Sequence, residues 1–227
     1  MSLILYGLPL SPFYRKVEMC LREKDIPFEA EAVNILPMPD WFKEISPAKR
    51  IPVLRDTEIG KEGVPGTIPD SSAICAFLEK KYPEPALYPE DPYAHGRAVW
   101  LEEYADSELA GAVGMGIFRP IMFPKFAGKE PDLDTARKTF NKKLPPHLDY
   151  LEQTLDGAEF FVGNALSIAD VAIVCQLTNL EVVAGRPDAS RWPGLNGLVD
   201  RLSARKSLES NLAICRKIAG EPFDLSA

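Results

Sequence analysis

The sequence predicts two unlike parts, a small α/β domain followed by an all-α domain. Up to Tyr82, short apolar strand-like runs alternate with helical patterns. From Tyr93 onward, apolar residues recur mainly at three- and four-residue spacing, which is typical of helices. A proline-rich stretch separates the two parts, and helices end before such stretches. We therefore expect domains at 1–83 and 93–227, joined by a linker over 84–92.

The chain begins with an apolar strand over residues 3–6, and a helix follows from Ser11. Ser11 is a favoured N-cap residue, and Pro12 suits the first helical position because its missing N–H would be unpaired there. An apolar stripe continues the helix to about Lys24. Because a helix N-terminus carries free N–H groups and partial positive charge, it favours an anion. Ser11 is therefore either a helix cap alone or also a hydrogen-bond donor to a bound anion.

The next segment of interest combines a proline with an apolar run. After a predicted strand over 28–33 and a short segment, Pro52 precedes a third strand, where proline is unusual because it lacks a ladder donor. A cis bond between Ile51 and Pro52 would turn the N–H and C=O of Ile51 outward, free to pair with an extended ligand. The 56–67 turn that follows is long for a hairpin and is read as a species-specific loop or a subunit contact.

A second helix start closes the N-terminal part. Asp70 and Ser71 lead into an apolar-periodic helix that ends at Tyr82, again with free N–H groups at its beginning. The predicted order is therefore β-α-β, a short segment, β-β and α.

The C-terminal part is predicted as a series of helices, at 93–118, 133–155, 167–183 and, as a pair, 194–218. Gly111, Gly114 and Gly116 lie inside the first, where glycine costs about 1 kcal/mol relative to alanine. They indicate close helix approach or an irregular stretch beside a pocket. We expect the Arg119–Pro120 pair to break this helix.

Composition argues against several classes of protein. The chain has 227 residues, 46% of them hydrophobic, and a net charge of −7, which argues against nucleic acids and anionic membranes as partners. No stretch reads as a signal peptide or as a membrane span of about 20 apolar residues. The four cysteines fall on apolar helical patterns and are expected to be buried free thiols. With two histidines, a His-based metal site is not expected.

Three motifs, in this order along the chain, resemble those of cytosolic glutathione transferases, and the resemblance extends over the whole chain. They are the Ser11-Pro12-Phe13 helix start, Ile51-Pro52-Val53-Leu54, and Asp70-Ser71. The run 160–170 is similar to the family's buried capping element, with Ser167 and Asp170 spaced for a variant capping box. The nearest likeness is to the serine-type tau, zeta and theta classes. The resemblance implies a thioredoxin-like N-terminal domain and an all-helical C-terminal domain.

The resemblance also implies the chemistry of the site. The catalytic residue would be Ser11, whose hydroxyl and helix N-terminus stabilise the thiolate of glutathione, the co-substrate. Arg50, favoured over Lys49, would neutralise the glycyl carboxylate, and Ile51 would pair the cysteinyl backbone. Asp70 and Ser71 would hold the γ-glutamyl end, although the family often has the longer Glu at position 70. The glutathione-binding set is Phe13, Arg50, Ile51, Pro52, Asp70 and Ser71.

A pocket for a small apolar electrophile is expected between the Ser11 loop and the first long helix of the second domain. Its candidate residues are Met38, Tyr104, Met115, Phe118 and Arg119, with Phe13, Leu36 and Phe123 as further possible walls. The resemblance implies a cytoplasmic homodimer that conjugates glutathione to small apolar electrophiles in detoxification. Two alternatives stay open: a glutathione-dependent isomerase or reductase, and a non-catalytic ligand-binding protein.

Overall fold

The computed structural model describes residues 2–226, and the chain divides into two compact units between Leu87 and Tyr88. This division falls within the 84–92 stretch that the sequence predicts as the linker. The first unit contains the sheet, and the second unit is helical. The predicted fold class, a thioredoxin-like α/β part followed by an all-α part, is confirmed.

From residue 2 onward, the described part of the first unit is a four-stranded mixed sheet with three helices. Its elements are β1 (Leu3–Gly7), α1 (Pro12–Glu23), β2 (Phe28–Ala32), α2 (Asp40–Ile45), β3 (Val53–Asp56), β4 (Thr67–Ile68) and α3 (Ser71–Lys81). The strand order is β2-β1-β3-β4, with β1 parallel to β2 and β3 antiparallel to both of its neighbours. The sequence predicts these elements except that α2 was expected only as an unspecified short segment.

The register brings three strand ends together. Tyr6 pairs with Val53, and Leu54 pairs with Ile68, so β1 ends where β3 begins and where β4 ends. We call this end of the sheet, marked by Gly7, Val53 and Ile68, the β1-end. The loops that contain Ser11, Ile51 and Asp70 all adjoin it in the chain.

The long turn after β3 is organised by the buried side chain of Arg55. Its Nη1 donates to the carbonyl oxygens of Gly60 and Pro65 at 3.2 and 3.0 Å, and its Nη2 donates to that of Gly63 at 2.8 Å. A Cβ at Gly66, which has φ of 79°, would lie 2.6 Å from the carbonyl oxygen of Asp56. The turn is therefore an ordered structure, and its backbone carbonyls surround the guanidinium. A role of the turn in subunit contact stays a prediction.

The second unit contains seven α-helices in its described residues. They are α4 (Pro92–Tyr104), α5 (Arg119–Phe126), α6 (Leu133–Lys138), α7 (Leu144–Leu155), α8 (Ile168–Ala184), α9 (Pro193–Ser203) and α10 (Lys206–Ala219). Three π-helical segments, Ala105–Leu109, Gly111–Phe118 and Thr139–Lys143, lie between them. The expected irregular stretch around the glycines is thus π-helical, a conformation often found at functional sites.

The expected helix break at Arg119–Pro120 is wrong. Phe118 keeps helical angles, with φ of −60° and ψ of −48°, and α5 begins directly at Arg119. Because the π-helical register ends there, Pro120 occupies the first turn of a new α-helical register. Its missing N–H costs little at that position.

The capping element of α8 is confirmed. The Asp170 carboxylate accepts the Ser167 N–H at 2.9 Å and the Ser167 hydroxyl at 2.8 Å, and its other oxygen accepts the Phe161 N–H at 2.8 Å. Burial raises the pKa of Asp170, although these hydrogen bonds act in the opposite direction. The element fixes the start of a helix that is buried along nearly its whole length.

Candidate active site

Ser11 lies at the N-cap of α1, where its Oγ accepts the Tyr14 N–H at 3.3 Å. A hydroxyl oxygen that accepts a hydrogen bond still has its own proton to donate. The two interpretations of Ser11 are therefore compatible, because the oxygen caps the helix while the O–H remains able to donate to an anion at the helix N-terminus.

Close packing against Gly7 positions the loop before Ser11. A Cβ at Gly7, with φ of 155°, would lie 2.6 Å from the ring of Tyr14 and 3.5 Å from the Cβ of Ile51. Burial, aided by the nearby Glu18 carboxylate, raises the pKa of Tyr14 to about 12. The phenol therefore stays protonated at neutral pH, and the same contacts bring Ile51 next to the start of α1.

The predicted cis bond between Ile51 and Pro52 is confirmed. The loop before it is held by Ser46, which is fully buried. The Ser46 Oγ donates to the Arg50 carbonyl at 2.7 Å and accepts the Arg50 N–H at 3.1 Å. Within residues 2–226, no hydrogen bond reaches the backbone N–H or C=O of Ile51. Ser46 thus fixes the residue that precedes a free backbone donor and acceptor.

Asp70 is the N-cap of α3, and its Oδ1 accepts the Ala73 N–H at 3.0 Å. The carboxylate is exposed, so its second oxygen remains available to a ligand ammonium group. Ser71, the first residue of α3, is buried and has an N–H at the positive end of the helix. A carboxylate with one free oxygen and a helix N-terminus therefore lie on adjacent residues.

Two contacts show that α1 and α3 run side by side in the same direction. The Lys16 Nζ donates to the Ser72 Oγ at 3.0 Å, and the sulfurs of Cys20 and Cys75 are 3.6 Å apart. The second contact lies further along both helices than the first. Their N-termini therefore lie at the same end, which the strand register identifies as the β1-end of the sheet.

The remaining glutathione-binding candidates are placed less specifically. Phe13 is half-buried in the first turn of α1, Pro52 is buried, and Arg50 has an exposed side chain. Arg50 follows Lys49, whose φ of 55° turns the chain at this point. The first unit thus brings together the segments that contain all six candidate residues.

Comparison with known proteins decides the family. Residues 5–86 match the model of the glutathione S-transferase N-terminal domain, and residues 117–213 match that of the C-terminal domain. The chain belongs to the glutathione S-transferase family.

Relatives within this family cover most of the chain. Human glutathione S-transferase theta-1 is 29% identical over 202 residues, which are 85% of this chain and 81% of that protein. The probable cytosolic glutathione S-transferase DHAR1 of rice, Oryza sativa subsp. japonica, is 31% identical over 75% of this chain and 67% of its own. A crystal structure of a glutathione S-transferase from Rhodospirillum rubrum F11 has a TM-score of 0.81 at 26% identity, covering 92% of this chain and 91% of that chain.

The residues predicted to line the electrophile pocket divide between the two units. In the first unit, Met38 packs partly buried against the core around Tyr6 and Phe42. In the second unit, the Tyr104 hydroxyl lies 2.7 Å from Nδ1 of His147 on α7, and burial raises the pKa of Tyr104.

The other candidates lie on the π-helical segment and α5. Phe118 is buried, while Met115 is 58% exposed. The Arg119 guanidinium lies 4.7 Å from the ring centre of Phe123, and its Nη1 lies 3.3 Å from the Met115 sulfur. Their role in a pocket stays a prediction.

Two features are absent from residues 2–226. No three His, Cys, Asp or Glu side chains cluster closely enough to hold a metal ion. No helix in this range has both the length and the apolar character needed to cross a membrane.

Sequence reasoning missed Ser46, the residue that holds the loop of the site. The only signal was its position before Pro47, six residues ahead of Pro52. A serine in such a turn is usually exposed, so its burial follows from the fold and not from local pattern.

Proposed function

We propose that this chain is a glutathione transferase whose first unit binds glutathione and activates its thiol for attack on small apolar electrophiles. The proposal is carried by the gathering of Ser11, Ile51 and Asp70–Ser71 at the β1-end of the sheet. Each segment supplies a group that a different part of the tripeptide requires. The family to which the chain belongs uses glutathione.

Binding follows from the charges of the tripeptide. The free oxygen of Asp70 pairs with the γ-glutamyl ammonium group, and the Ser71 N–H and hydroxyl bind the α-carboxylate at the helix N-terminus. The free N–H and C=O of Ile51 pair with the cysteinyl backbone as a short antiparallel ladder. The exposed guanidinium of Arg50 neutralises the glycyl carboxylate.

Thiol activation requires selective stabilisation of the anion. A free thiol has a pKa of about 8.5, and each unit by which it falls corresponds to about 1.4 kcal/mol. The Ser11 O–H donates to the thiolate, and the positive end of α1 adds to this stabilisation. With an aryl halide as the electrophile, the thiol proton leaves to solvent and the sulfur forms a bond to the ring carbon. The carbon–halogen bond breaks, and the halide leaves with its electron pair. Ser11 does not act as a base.

Several finer expectations belong to the same proposal. The electrophile is small and apolar, and the pocket that holds it includes Met38, Tyr104, Met115, Phe118 and Arg119. The enzyme is a cytoplasmic homodimer that acts in detoxification. A serine at position 11 cannot form a mixed disulfide, which disfavours a thiol-disulfide reductase.

The test is turnover of 1-chloro-2,4-dinitrobenzene with glutathione, followed by the absorbance of the thioether product. We expect a rate well above the spontaneous reaction, and a thioether rather than an isomerised product when an unsaturated keto-acid is offered. Absence of enzymatic thioether formation from any aryl halide would refute the proposal.

A matched pair of helix-cap variants tests the binding contacts. Asp91 caps α4 as Asp70 caps α3, accepting the Ala94 N–H at 2.9 Å. Asp70→Ala and Asp91→Ala should lose similar stability, about 1 kcal/mol each. Only Asp70→Ala should raise the dissociation constant of glutathione, measured by calorimetry, by about tenfold. Equal glutathione affinities in the two variants would show that Asp70 is only a cap.

A further inference from the structure

Arg119 is a guanidinium without a carboxylate partner among the described residues. Two arginines of the second unit, by contrast, pair with acids: Arg191 with Asp149, and Arg186 with Glu181. Arg119 instead contacts the Met115 sulfur, a weak acceptor, and the face of a phenylalanine ring. Its hydrogen-bonding capacity is therefore largely unused in a chain of net charge −7.

The side chain of Arg119 is nevertheless held in place. Met115, Arg119 and Phe123 follow at four-residue intervals, and both neighbours touch the guanidinium. Stacking on an aromatic ring leaves the edge of the guanidinium fork available for a planar anion. A cation held in this way loses less conformational freedom when it binds a ligand.

Two glycines of the same helical segment leave its backbone uncovered by side chains. A Cβ at Gly111 or Gly114 would meet no atom within 4 Å, whereas a Cβ at Gly116 would lie 2.6 Å from the side chain of Thr139. Packing therefore explains Gly116 but not the other two, although each helical glycine costs about 1 kcal/mol relative to alanine. The open backbone beside the exposed Met115 provides room for a flat apolar group.

We propose that Gly111, Gly114, Met115, Arg119 and Phe123 form a subsite for a small aromatic carboxylate, with the carboxylate on Arg119. The guanidinium fork matches two carboxylate oxygens, and the apolar side chains and bare backbone accept the ring. This inference rests on the proposed transferase function in naming the occupant as the electrophile. It replaces the general class of small apolar electrophiles with aromatic electrophiles that carry one carboxylate on an otherwise apolar ring.

A matched pair of electrophiles tests the subsite: 4-chloro-3-nitrobenzoate and its methyl ester. In both, the glutathione thiolate forms a bond to the ring carbon and chloride leaves, while the carboxyl group is unchanged. The quantity compared is the ratio of kcat/KM for acid and ester, taken relative to wild type, so that the intrinsic reactivities cancel.

Arg119→Gln should lower this ratio about tenfold by reducing kcat/KM for the acid, with the ester changed less than about twofold. Arg119→Lys, which keeps the charge but not the fork, should fall between the two. Lys142→Gln removes another exposed cation of the second unit and should leave the ratio unchanged. An equal effect of Arg119→Gln on acid and ester would overturn the subsite while the transferase proposal stands.

Binding separates the two proposals if wild type turns over neither compound. The unreactive 4-methyl-3-nitrobenzoate should then still bind about tenfold more weakly to Arg119→Gln than to wild type, as measured by equilibrium dialysis. Equal affinity in the two proteins would overturn the subsite, whereas the missing turnover would count against the transferase function alone.

Discussion

Ser46→Ala removes the hydroxyl that fixes the loop before Ile51, and we expect it to weaken glutathione binding without slowing the chemical step. Two hydrogen bonds are lost, at 2.7 and 3.1 Å, both to the backbone of Arg50. At about 1 kcal/mol each, they contribute about 2 kcal/mol, which corresponds to at most about 30-fold in a dissociation constant. Because Arg50 is exposed, water replaces part of this loss, and we expect an increase of about five- to tenfold.

The assay is calorimetric titration of glutathione together with steady-state kinetics. The expected result is a higher dissociation constant and a higher KM for glutathione, with kcat within about twofold of wild type. Thr178→Val is the matched control, since its buried hydroxyl bonds the Val174 carbonyl at 2.8 Å within α8 of the second unit. Ser46→Ala with lowered stability but unchanged glutathione affinity would refute the reasoning, because the hydroxyl would then serve the fold alone.

Two further predictions concern stability. Gly66→Ala should destabilise the protein by clearly more than Gly157→Ala. Both glycines have positive φ, but only at Gly66 would a Cβ lie 2.6 Å from a backbone oxygen. Equal denaturant midpoints of the two variants would contradict this prediction. Burial raises the pKa of Asp170 above its ordinary value of 3.8, so the folded state holds the proton more tightly than the unfolded state does. The free energy of unfolding therefore falls as pH rises from about 3.8 through the folded pKa. Asp170→Asn should remove this dependence of the unfolding free energy on pH, measured by urea unfolding from about pH 4 to 7. It should also lower stability at neutral pH, because an amide cannot accept both Ser167 donors. An unchanged pH dependence would show that another group causes it.

The features that sequence reasoning predicted correctly are those determined by neighbouring residues. The starts of α1, α3 and α8 follow from Ser11, Asp70 and Ser167, whose side chains act within three residues of themselves. α2 was not predicted as a helix because it has six residues and no side-chain cap. A short helix without a cap depends on burial of Phe42 and Ile45, which only the tertiary fold provides.

The features that could not be predicted depend on distant partners or on helix register. Nothing in the local sequence marks Arg55, but its Nη1 and Nη2 donate to three loop carbonyls five to ten residues away. Pro120 was expected to break a helix, but the π-helical segment ends just before it, so that Pro120 lies in the first turn of α5. Tyr104 reads as a pocket wall, while its hydroxyl contacts His147, 43 residues further along the chain.

The central claim is that the Ser11 hydroxyl and the N-terminus of α1 activate the thiol of bound glutathione. The most direct test is a pH titration of the thiolate ultraviolet absorbance of glutathione bound to wild type and to Ser11→Ala. We predict that the bound thiol has a pKa at least about one unit below the free value of about 8.5, and that Ser11→Ala loses that shift while keeping glutathione affinity within a few-fold. A bound thiol that titrates at its free value in wild type would contradict the claim and leave Ser11 as a helix cap alone.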